Sequence, residues 1–121
     1  MISVYIPGDT IVHLGRQHEN GARKISFDLS RIMEDWSRLE EESSGGTVQI
    51  CNRRPGEDAP YLVSGTSYSD GIVSWLVSNT DTSIAGSGEC EIRYLSNGVV
   101  AKSISFTTII SSSITGKEEM P

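Results

Sequence analysis

Glu89-Cys90-Glu91-Ile92-Arg93-Tyr94-Leu95-Ser96-Asn97-Gly98-Val99 is the most regular stretch of the chain. Cys90, Ile92 and Tyr94 fall on one side of it, and Glu89, Glu91 and Arg93 on the other. That period of two belongs to a strand with one face in a core and one in water. Ser96-Asn97-Gly98 ends the run. Asn-Gly suits a two-residue type I′ turn, because both central residues need positive φ. Val99 to Ile110 is therefore the returning strand of a hairpin. Its phase slips, with Val99 and Ala101 on one side and Ile104 and Phe106 on the other. A bulge near Lys102-Ser103 restores the alternation.

Working outward, the same period recurs. Ile72 to Val77 places Val73, Trp75 and Val77 on one face, a core set, after a Ser69-Asp70-Gly71 turn. Thr47 to Asn52 alternates, and Tyr61-Leu62-Val63 is short. Between them, residues 53–60 form a turn-rich loop with two prolines. Near the N-terminus Ile2, Val4 and Ile6 share a face, Ile11 to Leu14 reads as a short strand, and Ile25, Phe27 and Leu29 share another face. Only after Ser30 does the period change. Ile32, Met33, Trp36 and Leu39 lie at helical spacing, which predicts one short helix around residues 31–41 with Ser30 as its N-cap. Seven or eight short strands at roughly ten-residue spacing predict a mainly β domain, an immunoglobulin-like antiparallel β-sandwich. We expect it to occupy residues 1–114, with a linker-like tail over 115–121.

Composition narrows the function. The chain has 121 residues, enough for one domain with a real core. Sixteen acidic against ten basic residues leave a net charge of -6. That balance argues against nucleic acid, which binds to basic faces, and against anionic lipid. No apolar run approaches the ~18 residues of a membrane span. The N-terminus has neither the basic region nor the cleavage site of a signal peptide. Cys51 and Cys90 have no metal-ligand spacing and read as reduced, half-buried thiols, although a bridge between two sheets is compatible with the sequence.

Catalytic motifs are missing. His13 and His18 are the only histidines, both in or beside an early loop, and no G-x-S-x-G elbow accompanies them. The carboxylate pairs Glu34/Asp35, Glu57/Asp58 and Glu89/Glu91, and the run Glu40 to Glu42, read as solvated faces. Asn79-x-Asp81-x-Ser83 hints at a calcium loop but lacks the glycine and closing glutamate of an EF-hand, so Asp81 reads as a turn cap. We expect no enzyme activity, no catalytic or metal-binding residue and no cofactor. Tyr5, Tyr61 and Tyr68 are the aromatics left free of the core pattern. They are the residues on which a carbohydrate-binding alternative rests.

Gly21-Ala22-Arg23-Lys24-Ile25-Ser26-Phe27-Asp28-Leu29-Ser30, the stretch from Gly71 to Glu89, and Ala101-Lys102-Ser103-Ile104-Ser105-Phe106 with Ile114 follow one another along the chain. Together they resemble the N-terminal domain of phage tail and baseplate proteins of the baseplate-upper-protein type, from phages and prophages of Gram-positive gut bacteria. The resemblance covers about residues 20 to 114. It implies a non-catalytic β-sandwich that anchors a distal fibre or receptor-binding module through contacts with other phage structural proteins. It places the protein in the virion tail or baseplate, assembled in the bacterial cytoplasm. A homo-oligomer, if formed, is expected to be a trimer.

Overall fold

Asn97 and Gly98 have φ of 53° and 80°, the left-handed pair that a type I′ turn requires. They join β8 (Gly86–Ser96) to β9 (Val99–Ser111) in a long antiparallel hairpin. The bulge is there. Tyr94 faces Lys102 while Leu95 faces Val100, so Ala101 is the extra residue, just ahead of the expected position. This computed structural model describes residues 1–8, 10–43 and 46–113. The tail expected over 115–121 lies outside the described residues.

The remaining elements are β1 (Ile2–Ile6), β2 (Val12–Arg16), β3 (Arg23–Asp28), α1 (Leu29–Ile32), α2 (Trp36–Ser43), β4 (Thr47–Arg53), β5 (Tyr61–Leu62), β6 (Thr66–Ser69) and β7 (Ile72–Leu76). They form two sheets, ordered β1-β3-β7-β6 and β2-β9-β8-β4-β5. This order follows the immunoglobulin scheme, with β1-β3-β7-β6 as one sheet and β9-β8-β4 as the heart of the other. The sheets are mixed and not wholly antiparallel as expected, because β1 runs parallel to β3 and β2 parallel to β9. Nine strands appear among the described residues.

The expected single helix is two. Met33 caps α1 in an extended conformation, and its N–H closes onto Leu29 O. Its side chain is thereby turned into the core with no exposure. The helical spacing of the apolar residues was real, but burying Met33 and Trp36 on the same sandwich breaks the helix between them. The N-cap is Asp28 rather than Ser30. Its carboxylate accepts from Ser30 N at 3.1 Å, and the Ser30 hydroxyl donates to the same oxygen.

The core lies between the sheets. Ile25, Phe27, Val73 and Trp75 come from one, and Leu14, Ile50, Ile92 and Tyr94 from the other; seven have no exposure and Ile50 has 1%. Phe27 and Phe106 meet across the gap with ring centroids 5.2 Å apart. Each such side chain stabilises the fold by about 1.5–3 kcal/mol. Strand register places α1, α2, Asp70-Gly71 and Asn97-Gly98 at one pole, here called the upper. The lower pole holds the start of β1, the end of β9 and the loops 17–22, 54–60 and 77–85.

Candidate interaction surfaces

The lower pole is laced together by polar contacts. Asp81, 3% exposed, accepts at Oδ2 from Trp75 Nε1 (2.9 Å), Ser78 N (2.9 Å) and Ser78 Oγ (3.1 Å), and at Oδ1 from Tyr61 (2.5 Å). The turn-capping role read from sequence is present, on the Ser78 backbone. The buried indole and the tyrosine from the other sheet are additional partners that no motif announces. Arg54 stacks over the Tyr61 ring at 5.1 Å and also pairs with Glu57. Gln17 N donates to Ser111 O at 2.8 Å, and Thr82 Oγ1 to Glu19 O at 2.8 Å. The start of β1 and the end of β9 thus share a braced pole. Between them Ile2, His13, Arg16, Glu19, Arg23 and Ser111 line an open cleft of about 400 Å³.

A second cleft, of about 420 Å³, lies at the upper pole between α2 and the β6–β7 hairpin. Trp36 Nε1 donates to the Tyr68 hydroxyl at 2.8 Å, and that hydroxyl donates to Glu40. Burial and the Glu40 hydrogen bond push the Tyr68 hydroxyl above the ordinary phenol value. These groups satisfy one another, so the cleft works as the joint that holds α2 on the sheet.

The three tyrosines read as free surface do not form one platform. Tyr5 is on β1, 53% exposed, and its hydroxyl donates to Asp28. Tyr61 on β5 is half-buried against Asp81, and Tyr68 on β6 is half-buried under α2. They belong to three different edge strands, with every hydroxyl already engaged. The histidines lie at the surface: His13 is exposed on β2, and His18 is exposed in the following turn with φ of 74°. Among the described residues no group of three or more His, Cys, Asp or Glu converges.

Cys51 and Cys90 are buried, not half-buried, at 6% and 1% exposure, and both are free. They lie on neighbouring strands of one sheet. Cys51 faces Glu91 and Asn52 faces Cys90, so the two thiols point to opposite faces of the sheet. That arrangement removes the inter-sheet bridge the sequence had left open. Around Cys51 the outer face carries Arg53 paired with Glu89 at 3.2 Å and Arg93 paired with Glu91.

Strand edges form the remaining surface. β1 and β6 border one sheet, β2 and β5 the other. Exposed apolar side chains include Met1, Ile2 and Tyr5 along β1, Val99 and Val100 beside the β8–β9 turn, and Ile11, Leu62 and Leu76 elsewhere. Among the solved structures that share this arrangement is the N-terminal domain of phage TP901-1 ORF48, at a TM-score of 0.57 and 14% sequence identity, covering 92% of this chain and 99% of that one. At this identity the likeness concerns the fold. No family model matches the chain, and no curated protein matches it in sequence.

Proposed function

We propose that this chain is a non-catalytic structural domain of a phage tail or baseplate protein, anchoring a distal fibre or receptor-binding module through protein–protein contacts. The observation that carries the reading is the extent of the fold match. It runs over 92% of this chain and 99% of an N-terminal domain from a phage protein. The residue pattern from Gly21 to Ile114 points independently to the same class of protein. The geometry suits the role, since a docking domain needs rigid poles and open edges more than an enclosed pocket. A module carried C-terminally would hang from the braced lower pole, where β9 ends beside Gln17 and Arg16.

The test is to raise antibodies against this domain and apply them to phage particles purified from the source strain after prophage induction. Electron microscopy should show label at the tail tip. Particles that stay unlabelled, with the protein also missing from their mass spectrum, would remove the reading.

A further inference from the structure

We propose that the upper half of β9 is an association edge on which a second copy of this chain adds its own β9 as an antiparallel strand. This goes beyond the phage reading and does not depend on it. β9 pairs with β8 from Val99 to Ile110, but β2 pairs with it only from Thr108 to Ser111. Among the described residues, 99–107 therefore have a neighbouring strand on one side only. Alternate residues there turn N–H and C=O sideways, away from β8.

Natural edges of this kind are blunted by proline, by charge or by shortness. β5 has two residues and β6 has four. The open part of β9 has no proline and one charge, Lys102, whose ammonium lies 3.9 Å from Asp35. Its one irregularity is the bulge at Ala101. Lys102 to Thr107 is a regular, nearly neutral edge on a chain of net charge -6.

The edge is complementary to itself. With Ile104 on a two-fold axis, Ser103 lies opposite the second copy's Ser105, Lys102 opposite Phe106, and Ala101 opposite Thr107. No like charges meet. Glu89 and Glu91 stay one strand further in, opposite Thr107 and Ser105 on β8. The faces agree as well, because Ile104 and Phe106 are on the core side of both copies and the serines on the outer side. The contact is isologous, closes at two copies, and joins the two five-stranded sheets into one. That is a pair, in place of the trimer implied by the family resemblance.

The experiment uses sedimentation equilibrium of the full chain from ~10 μM to ~1 mM, a range that captures weak association. The mass should rise from one copy toward two, and Ser105→Lys, at an exposed position, should hold it at one. In parallel, an equimolar mixture of Ser103→Cys and Ser105→Cys is oxidised gently. The mixed disulfide should form about tenfold faster than one between copies of Ser67→Cys on β6, because pairing raises the effective concentration of the facing thiols. A monomer at every concentration, a trimer, a dimer untouched by Ser105→Lys, or equal cross-linking rates would each overturn the proposal. None of these outcomes bears on whether the domain sits in a phage tail.

Discussion

Trp75 Nε1 donates to Asp81 Oδ2 at 2.9 Å, with the indole fully buried and the aspartate 3% exposed. The carboxylate joins three parts of the chain, since it also holds Ser78 in the following loop and Tyr61 on the opposite sheet. Four donors converge on it, so removal leaves several buried groups unpartnered. Asp81→Asn keeps the volume but turns an NH₂ group toward donors. We expect it to lower stability by about 1.5–3 kcal/mol, the range for hydrogen bonds to a charged group. Asp81→Ala should lose more. Urea unfolding followed by tryptophan fluorescence reads both. A loss under about 0.5 kcal/mol for the alanine variant would show that the knot is dispensable.

The strands were legible because each is half-buried and therefore alternates. Cys90, Ile92 and Tyr94 point inward as their spacing requires, and so do Val73, Trp75 and Val77. Both Asn97-Gly98 and Asp70-Gly71 make the positive-φ turns that their residue types favour. Beyond the β8–β9 hairpin, pairing partners were not legible. Nothing local in Ile2–Ile6 says that it runs parallel to Arg23–Asp28, a non-local choice made by packing. The helix was misjudged for a related reason. Met33 and Trp36 have helical spacing, yet Met33 reaches the core only by leaving the helix. Among the candidate site residues, exposure of His13 and His18 was readable. The engagement of Tyr61 and Tyr68 was not, since Asp81 and Glu40 lie 20 and 28 residues away from them.

The thiols give a chemical check on burial. Desolvation pushes the Cys90 thiol up to about 12, and burial also raises Cys51. Thiolate is the reactive form, so neither should react with a disulfide reagent in the native protein at about pH 8 within minutes. Both should react at once in denaturant. Cys51 should be the first to label as denaturant is added, because it points to the outer face and its strand is flanked on one side by the two-residue β5. Rapid labelling of Cys90 in buffer would contradict its place in the core.

Gly71 has φ of +80°, and a Cβ built on it would lie 3.0 Å from Trp36 Cζ2. Gly21 has φ of +68° with nothing within 4 Å. Replacement by alanine carries the left-handed strain at both sites, about 1–2 kcal/mol. Only Gly71→Ala must also displace the indole that anchors α2 to Tyr68. We expect Gly71→Ala to be the more destabilising of the two by about 1 kcal/mol or more. Thermal melts of the two variants give the comparison, and equal losses would mean that α2 yields freely.

Asp28 links acid stability to the β3–α1 junction. The Ser30 hydroxyl and then the Tyr5 hydroxyl donate to its carboxylate and hold it below the ordinary value of 3.8. A carboxyl depressed in the folded state binds fewer protons there than in the unfolded chain. Its contribution is therefore fully present above the unfolded value and is lost as pH falls through the lower folded value. Asp28→Asn removes the titrating group together with the charged cap. The native protein should lose stability steadily as pH drops below about 4, and the variant should lose less over the same interval. Tyr5→Phe should lie between them, since Ser30 still caps the carboxylate. Chemical denaturation at a series of pH values from neutral down to about 2 separates the three slopes. Parallel slopes for Asp28→Asn and the native chain would assign the acid sensitivity to other carboxylates.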